Sequence, residues 1–114
     1  ITIRKEGMIV LENYSKDLIG QELDKDKLID LLIDELPVLR AKIGLSQEEL
    51  SNIIGISRQT YSTFETGKKK MPWNTFLSIL FVFSNNEKTA PILEACGAFP
   101  DMLKNEINID KRSS

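Results

Sequence analysis

The chain has 114 residues, 41% of them apolar and 28% charged, with 15 basic against 17 acidic side chains and a net charge of −2. A chain of that length can bury one core but hardly a second independent one. It has no histidine and a single cysteine, Cys96, which removes imidazole acid–base chemistry, Cys/His zinc patterns and an intramolecular disulfide, and makes the cytoplasm the expected compartment.

Residues 1–23 read as an N-terminal arm or extension. The chain opens on Ile1, and Met8 is a candidate initiator. Arg4 and Lys5 precede an apolar run confined to residues 8–11, too short for a signal segment or a membrane span, so no membrane partner is expected. A short hairpin turning at Glu6 and Gly7 and a disordered arm are both open for this stretch. Leu28, Ile29, Leu32, Leu36, Leu39 and Ile43 then recur at helical spacing and predict a helix over residues 26–42, capped by Asp24 or Asp26. Pro37 lies inside that pattern, where it has no amide to donate, so the helix either kinks or divides in two there.

Ser46 followed by Glu49 is a capping box, and Leu50, Ile53 and Ile54 form the apolar face of the helix it starts. Gly55 supplies the left-handed conformation that ends it. Ser57 can cap a second helix almost at once, running over residues 58–66 with Tyr61 and Phe64 inward and Gly67 as its stop. A connection this tight makes the two helices cross steeply and pack on each other. The outward face of the second helix carries Arg58, Gln59, Ser62, Thr63 and Thr66 and no large apolar residue. Arginine can bond guanine bidentately, glutamine can bond adenine, and hydroxyls can reach several base edges, so this face suits a DNA major groove, the bland alternative being a solvated surface.

Pro72 and Trp73 open a helix to about Ser84 that is apolar on nearly every side, with Phe76, Leu77, Ile79, Leu80, Phe81, Val82 and Phe83. Only part of it can pack on the preceding pair, so the rest needs cover from another segment or a second subunit. A loop over 84–86, a helix over 87–95 ended by Gly97 and a last short helix over 100–105 complete the chain. Cys96 reads as a small buried apolar residue.

Charge is segregated along the chain: residues 1–37 carry a net −4, residues 38–72 a net +3 and residues 73–114 a net −1. The positive balance is confined to the helix pair, and Lys68, Lys69 and Lys70 follow the second helix where a loop can meet a phosphate backbone.

Residues 36–83 resemble the phage-repressor and Cro class of helix-turn-helix, the Xre-like family. Gln47 stands at the opening of the first motif helix, Ser51 at its small residue, Gly55 at the turn, Arg58 and Gln59 early on the recognition helix, and Glu65-x-Gly67 at its end. The resemblance implies an all-α fold, a compact five-helix bundle over residues 24–84 with the N-terminal extension before it and C-terminal helices and tail over 85–114. It implies that Arg58, Gln59, Ser62 and Thr63 read bases, that Gln47 contacts a phosphate and braces the first residues of the recognition helix, and that Arg40 pairs with Glu65 to fix that helix. Ser57 and Lys68 to Lys70 join Gln47 as phosphate contacts. Tyr61 departs from the β-branched aliphatic residue more usual in the family, and Trp73 replaces a residue that is basic in some members.

The expected function is a sequence-specific, double-stranded-DNA-binding transcriptional regulator, a repressor acting as a homodimer on palindromic half-sites through the helix over residues 73–83 with the C-terminal helices or the N-terminal segment. The alternative is a protein-interaction module or antitoxin component built on the same fold. An enzyme is not expected: Asp30 and Asp34, and Glu48 and Glu49, lie on polar helix faces without a companion nucleophile, and no catalytic residue, metal ligand or cofactor is assigned.

Overall fold

A computed structural model describes residues 23–108, which form six helices and no strand: α1 Lys25–Ile43, α2 Gln47–Ile54, α3 Arg58–Glu65, α4 Trp73–Ser84, α5 Ala90–Cys96 and α6 Asp101–Ile107. The arm over residues 1–22, with its possible hairpin, and residues 109–114 lie outside the described residues.

α1 begins at Asp24, whose carboxylate accepts from the Lys27 amide at 3.1 Å. Its apolar spacing buries Leu28, Ile29, Leu32, Leu36 and Leu39 on one face. Pro37 neither ends nor divides the helix, which runs unbroken for 19 residues. Pro37 is exposed, so the carbonyl one turn back that loses its donor lies toward water, and the five inward apolar side chains hold the segment helical. Residues 24–84 therefore hold four helices rather than five.

α2 has its capping box: the Glu49 amide donates to Ser46 Oγ at 3.0 Å, and the Ser46 amide donates to Glu49 Oε1 at 2.9 Å. Gly55, at φ +84°, lets the chain reverse, with its amide and that of Ile56 both donating to the Ser51 carbonyl. The inward face of α2 differs from the spacing argument. Leu50 and Ser51 are buried and Ile54 is half-buried, but Ile53 is 58% exposed. Eight residues give a narrow stripe, and the small Ser51 occupies the position through which α2 approaches its neighbours, which rotates Ile53 outward.

α3 is capped by Ser57, which accepts from the Thr60 amide at 3.0 Å; loss of such a cap costs about 1 kcal/mol. Tyr61 and Phe64 enter the core, and Gly67, at φ +79°, turns the chain away. In α4, Thr75, Phe76, Ile79, Leu80 and Phe83 are buried, whereas Phe81 is 70% exposed. Trp73 is half-buried and stacks on Phe76 at 4.7 Å, with Lys25 Nζ 5.0 Å above its ring, so its face is taken up by α1 and α4.

α5 starts three residues later than the spacing suggests. Pro91 belongs in a first turn, and Thr89 ahead of it is buried, donating its hydroxyl to the Phe83 carbonyl at 2.6 Å, so residues 87–89 are a turn. α6 is closely as expected, from Asp101 to Ile107 with Pro100 at its cap.

One core joins all six helices. α1 runs along it and touches α3, α4 and α5; α2 touches α3 and α4; and Leu93, Ala98 and Leu103 continue the same cluster beyond residue 84. The C-terminal helices thus cover much of α4 within the chain. Truncating a fully buried leucine such as Leu36 or Leu50 to alanine would cost roughly 2 to 5 kcal/mol.

Candidate nucleic-acid interface

α3 is only eight residues long, so its position depends on what holds it. The central device is the Glu65 carboxylate in its last turn. Arg40 of α1 donates to it through both Nε, at 3.1 Å to Oε1, and Nη2, at 2.9 Å to Oε2. Arg40 Nη1 also donates to the Leu45 carbonyl at 3.1 Å, which ties the α1–α2 connection into the same site. The two side chains retain 17% and 9% exposure, so the pair is largely desolvated.

Tyr61, one turn before Glu65, donates its phenol to Oε1 at 2.5 Å, and Gln47 Nε2 donates to Oε2 at 3.3 Å. Burial works against the charge on Glu65, but hydrogen bonds from Arg40 and Tyr61, the Arg40 charge and the Gln47 bond outweigh it and hold the carboxyl below its ordinary value. Arg40 is shifted up, first by its hydrogen bond to Glu65. Burial, reinforced by the carboxylate, pushes the Tyr61 phenol far above its usual range, so it remains a donor.

Gln47 therefore reaches the end of α3 and not its first residues, the reverse of the bracing expected from the resemblance. The reason is geometric: the start of α2 lies beside Arg40 and Glu65, and a charged acceptor there draws the amide. One clue to the Tyr61 contact was present in the chain, since Tyr61 and Glu65 are four apart on one helix.

On the other side of α3, Arg58 and Gln59 are exposed and Ser62 and Thr63 half-exposed, forming one outward surface. Thr63 Oγ1 donates to the Thr60 carbonyl at 2.6 Å and Thr66 Oγ1 to the Ser62 carbonyl at 2.8 Å, so these hydroxyls offer acceptor lone pairs outward while their protons stay on the helix. Ser57 is similarly occupied: it accepts from the Thr60 amide and donates to Thr60 Oγ1 at 2.9 Å.

The basic loop follows directly. The Lys69 amide donates to the Thr63 carbonyl at 3.1 Å, which folds the loop back against α3. Lys68, Lys69 and Lys70 are all exposed, but Lys70 Nζ sits 2.8 Å from Asp26 Oδ1 on α1, which raises its pKa. The three lysines are thus not equivalent, a difference that their adjacency in the chain conceals.

Among the described residues no group of histidine, cysteine or carboxylate side chains could hold a metal ion, and no helix is long and apolar enough to cross a membrane. A helix-turn-helix family model matches residues 39–72, from the last turns of α1 through α2 and α3 to the residue before α4. Neither a search of curated proteins nor one of solved structures returned a match. The match spans the capping box, the Gly55 turn, the outward face of α3 and the basic loop, and over these residues the chain is similar to the Xre/Cro-type helix-turn-helix family of DNA-binding regulators.

Proposed function

We propose that the protein is a sequence-specific repressor that reads the major groove of double-stranded DNA with α3. The observation that carries this is the division of α3 into an inner face fully engaged with the protein and an outer face of Arg58, Gln59, Ser62 and Thr63. Arg58 and Gln59 are the side chains suited to bidentate base contacts, and Ser62 and Thr63 lie one turn further along the groove. Gln47, the amides around Ser57, Lys68 and Lys69 supply phosphate contacts on either side, with Lys70 contributing less because Asp26 already holds it. The five-helix bundle of the family then corresponds to α1 through α5, with α6 appended, in a cytoplasmic protein.

The same reading includes a homodimer on a palindromic site, with recognition helices about 34 Å apart. Exposed Phe81 and Ile53 support it. Phe81 stands between two apolar clefts, of about 480 Å³ beside Ile53 and Leu77 and about 450 Å³ beside Leu80, Phe99 and Ile107, and no charged side chain lines either. This face is formed by α4 with residues of α2 and the C-terminal segment, and no residue of α3 lines it.

In-vitro selection from a random duplex library, followed by sequencing of the bound fraction, tests the proposal. Enrichment of a two-fold symmetric site is the expected result. Selection that enriches no sequence, with binding indifferent to salt, would refute it.

A further inference from the structure

The inner face of α3 carries a phenol at Tyr61 that has to be accommodated, and the structure gives it a specific partner. Glu65 accepts four hydrogen bonds: Oε1 from Arg40 Nε and Tyr61 Oη, Oε2 from Arg40 Nη2 and Gln47 Nε2. An ionised carboxylate has about four acceptor sites, so this one is saturated. Its orientation is then set by all four donors together, and Tyr61, fully buried, is the donor with the least freedom to move.

The bond to Gln47 is the longest of the four, at 3.3 Å, and belongs to a donor that is neither charged nor fully buried. Without the phenol, Oε1 keeps a single donor and the carboxylate can turn about its last bond, so the Gln47 contact yields first. Gln47 Nε2 carries two hydrogens, and one on Glu65 leaves the other for a group outside the protein. We propose that Tyr61 is a positioning residue for DNA binding: acting through Glu65, it fixes the Gln47 side-chain amide at the start of α2 so that its second hydrogen meets a backbone phosphate. This rests on the DNA-binding reading above. It explains why a polar ring is useful inside α3, where an aliphatic side chain would fill space equally well but leave Glu65 Oε1 short of a donor.

The test is a double-mutant cycle in the full chain, on the duplex that selection returns. Tyr61→Phe should bind about three- to tenfold more weakly, Gln47→Ala should lose a similar factor, and the double variant should bind no more weakly than Gln47→Ala alone. Thermal melts establish that each variant is folded at the assay temperature. In the free protein, independently of DNA, the Gln47 side-chain amide resonances should shift in Tyr61→Phe, which a space-filling role for the ring would not produce. Multiplicative losses in the double variant, or unmoved Gln47 resonances with unchanged affinity, would overturn the proposal. If the unaltered chain binds no duplex at all, the DNA reading fails and the proposal falls with it; if it binds and Tyr61→Phe binds equally well, only the positioning role fails.

Discussion

Replacing Glu65 by alanine removes the single acceptor on which three helices converge. The Arg40 fork and the Tyr61 phenol lose their partner together, in a site where the Arg40 side chain keeps only 17% exposure. Breaking a fully buried pair from one side costs about 3 to 5 kcal/mol, and the residual exposure of Arg40 lets some water reach the guanidinium, which places the expected loss near 3 kcal/mol. For a domain of this size that corresponds to a fall in Tm of about 10 to 20 °C. The assay is urea and thermal unfolding followed by helical circular dichroism, with Arg40→Ala and the Arg40→Ala/Glu65→Ala pair measured alongside. The double variant should lose far less than the sum of the two, since no orphaned charge remains. Because the folded protein holds the Glu65 carboxyl below its ordinary value of 4.5, its contribution is complete above that pH and is lost as the pH falls through the depressed value. Glu65→Ala should accordingly show a flatter acid limb. A loss under about 1 kcal/mol, with additive single variants and an unchanged acid limb, would mean that solvent screens the pair and that α3 is held by its apolar face alone.

Arg58→Ala should cost about 1 to 3 kcal/mol on the selected site and relax selection at the base it contacts, measured by titration against single-base variants. Equal loss on every sequence would make Arg58 a phosphate contact. Lys69→Ala should weaken all duplexes alike and reduce the slope of log K against log salt by about 0.9, whereas Lys70→Ala should change the slope less, because Asp26 already neutralises it; equal slopes for the two variants would remove that distinction. Phe81→Asp, at a 70% exposed position that leaves the core intact, should give a monomer by light scattering and weaken binding to a full palindrome more than to a half-site. A dimer that persists in this variant places the interface elsewhere.

The sequence was most legible where local backbone chemistry decides. Asp24, Ser46 and Ser57 each cap the helix expected of them, and Gly55 and Gly67 end α2 and α3 with the positive φ that only glycine accepts easily. It was less legible where tertiary packing sets rotation or length. Ile53 satisfies the helical period yet faces water, since α2 is too short for its pattern to define one face. Pro37 is a breaker in isolation and is overridden by the leucines around it. The start of α5 depends on a buried hydroxyl, Thr89 to Phe83, that no local pattern signals. In the site itself, the outward residues of α3 follow directly from helical spacing. The fourfold coordination of Glu65 and the diversion of Lys70 to Asp26 do not, because they require knowing which elements meet.

That last contact also sets a limit to the surface that DNA can occupy. The groove between α1 and the loop after α3 is lined by Asp26 and Asp30 on one side and Lys69 and Lys70 on the other. A phosphate moving from Lys68 past Lys69 therefore leaves a region of positive charge and meets carboxylates within a side chain's length, where approach becomes unfavourable. Asp26 and Asp30 of α1 accordingly give the basic loop an edge. Gln47 and Lys69 both meet the last turns of α3, through Glu65 and the Thr63 carbonyl, while its outer face carries Arg58, Gln59, Ser62 and Thr63. The Arg40–Glu65 pair fixes the angle at which that face is presented. In the proposed reading, phosphate affinity and base selectivity fall to different residues, and Glu65, engaged by Arg40, Tyr61 and Gln47, supports the reading helix from its inner side.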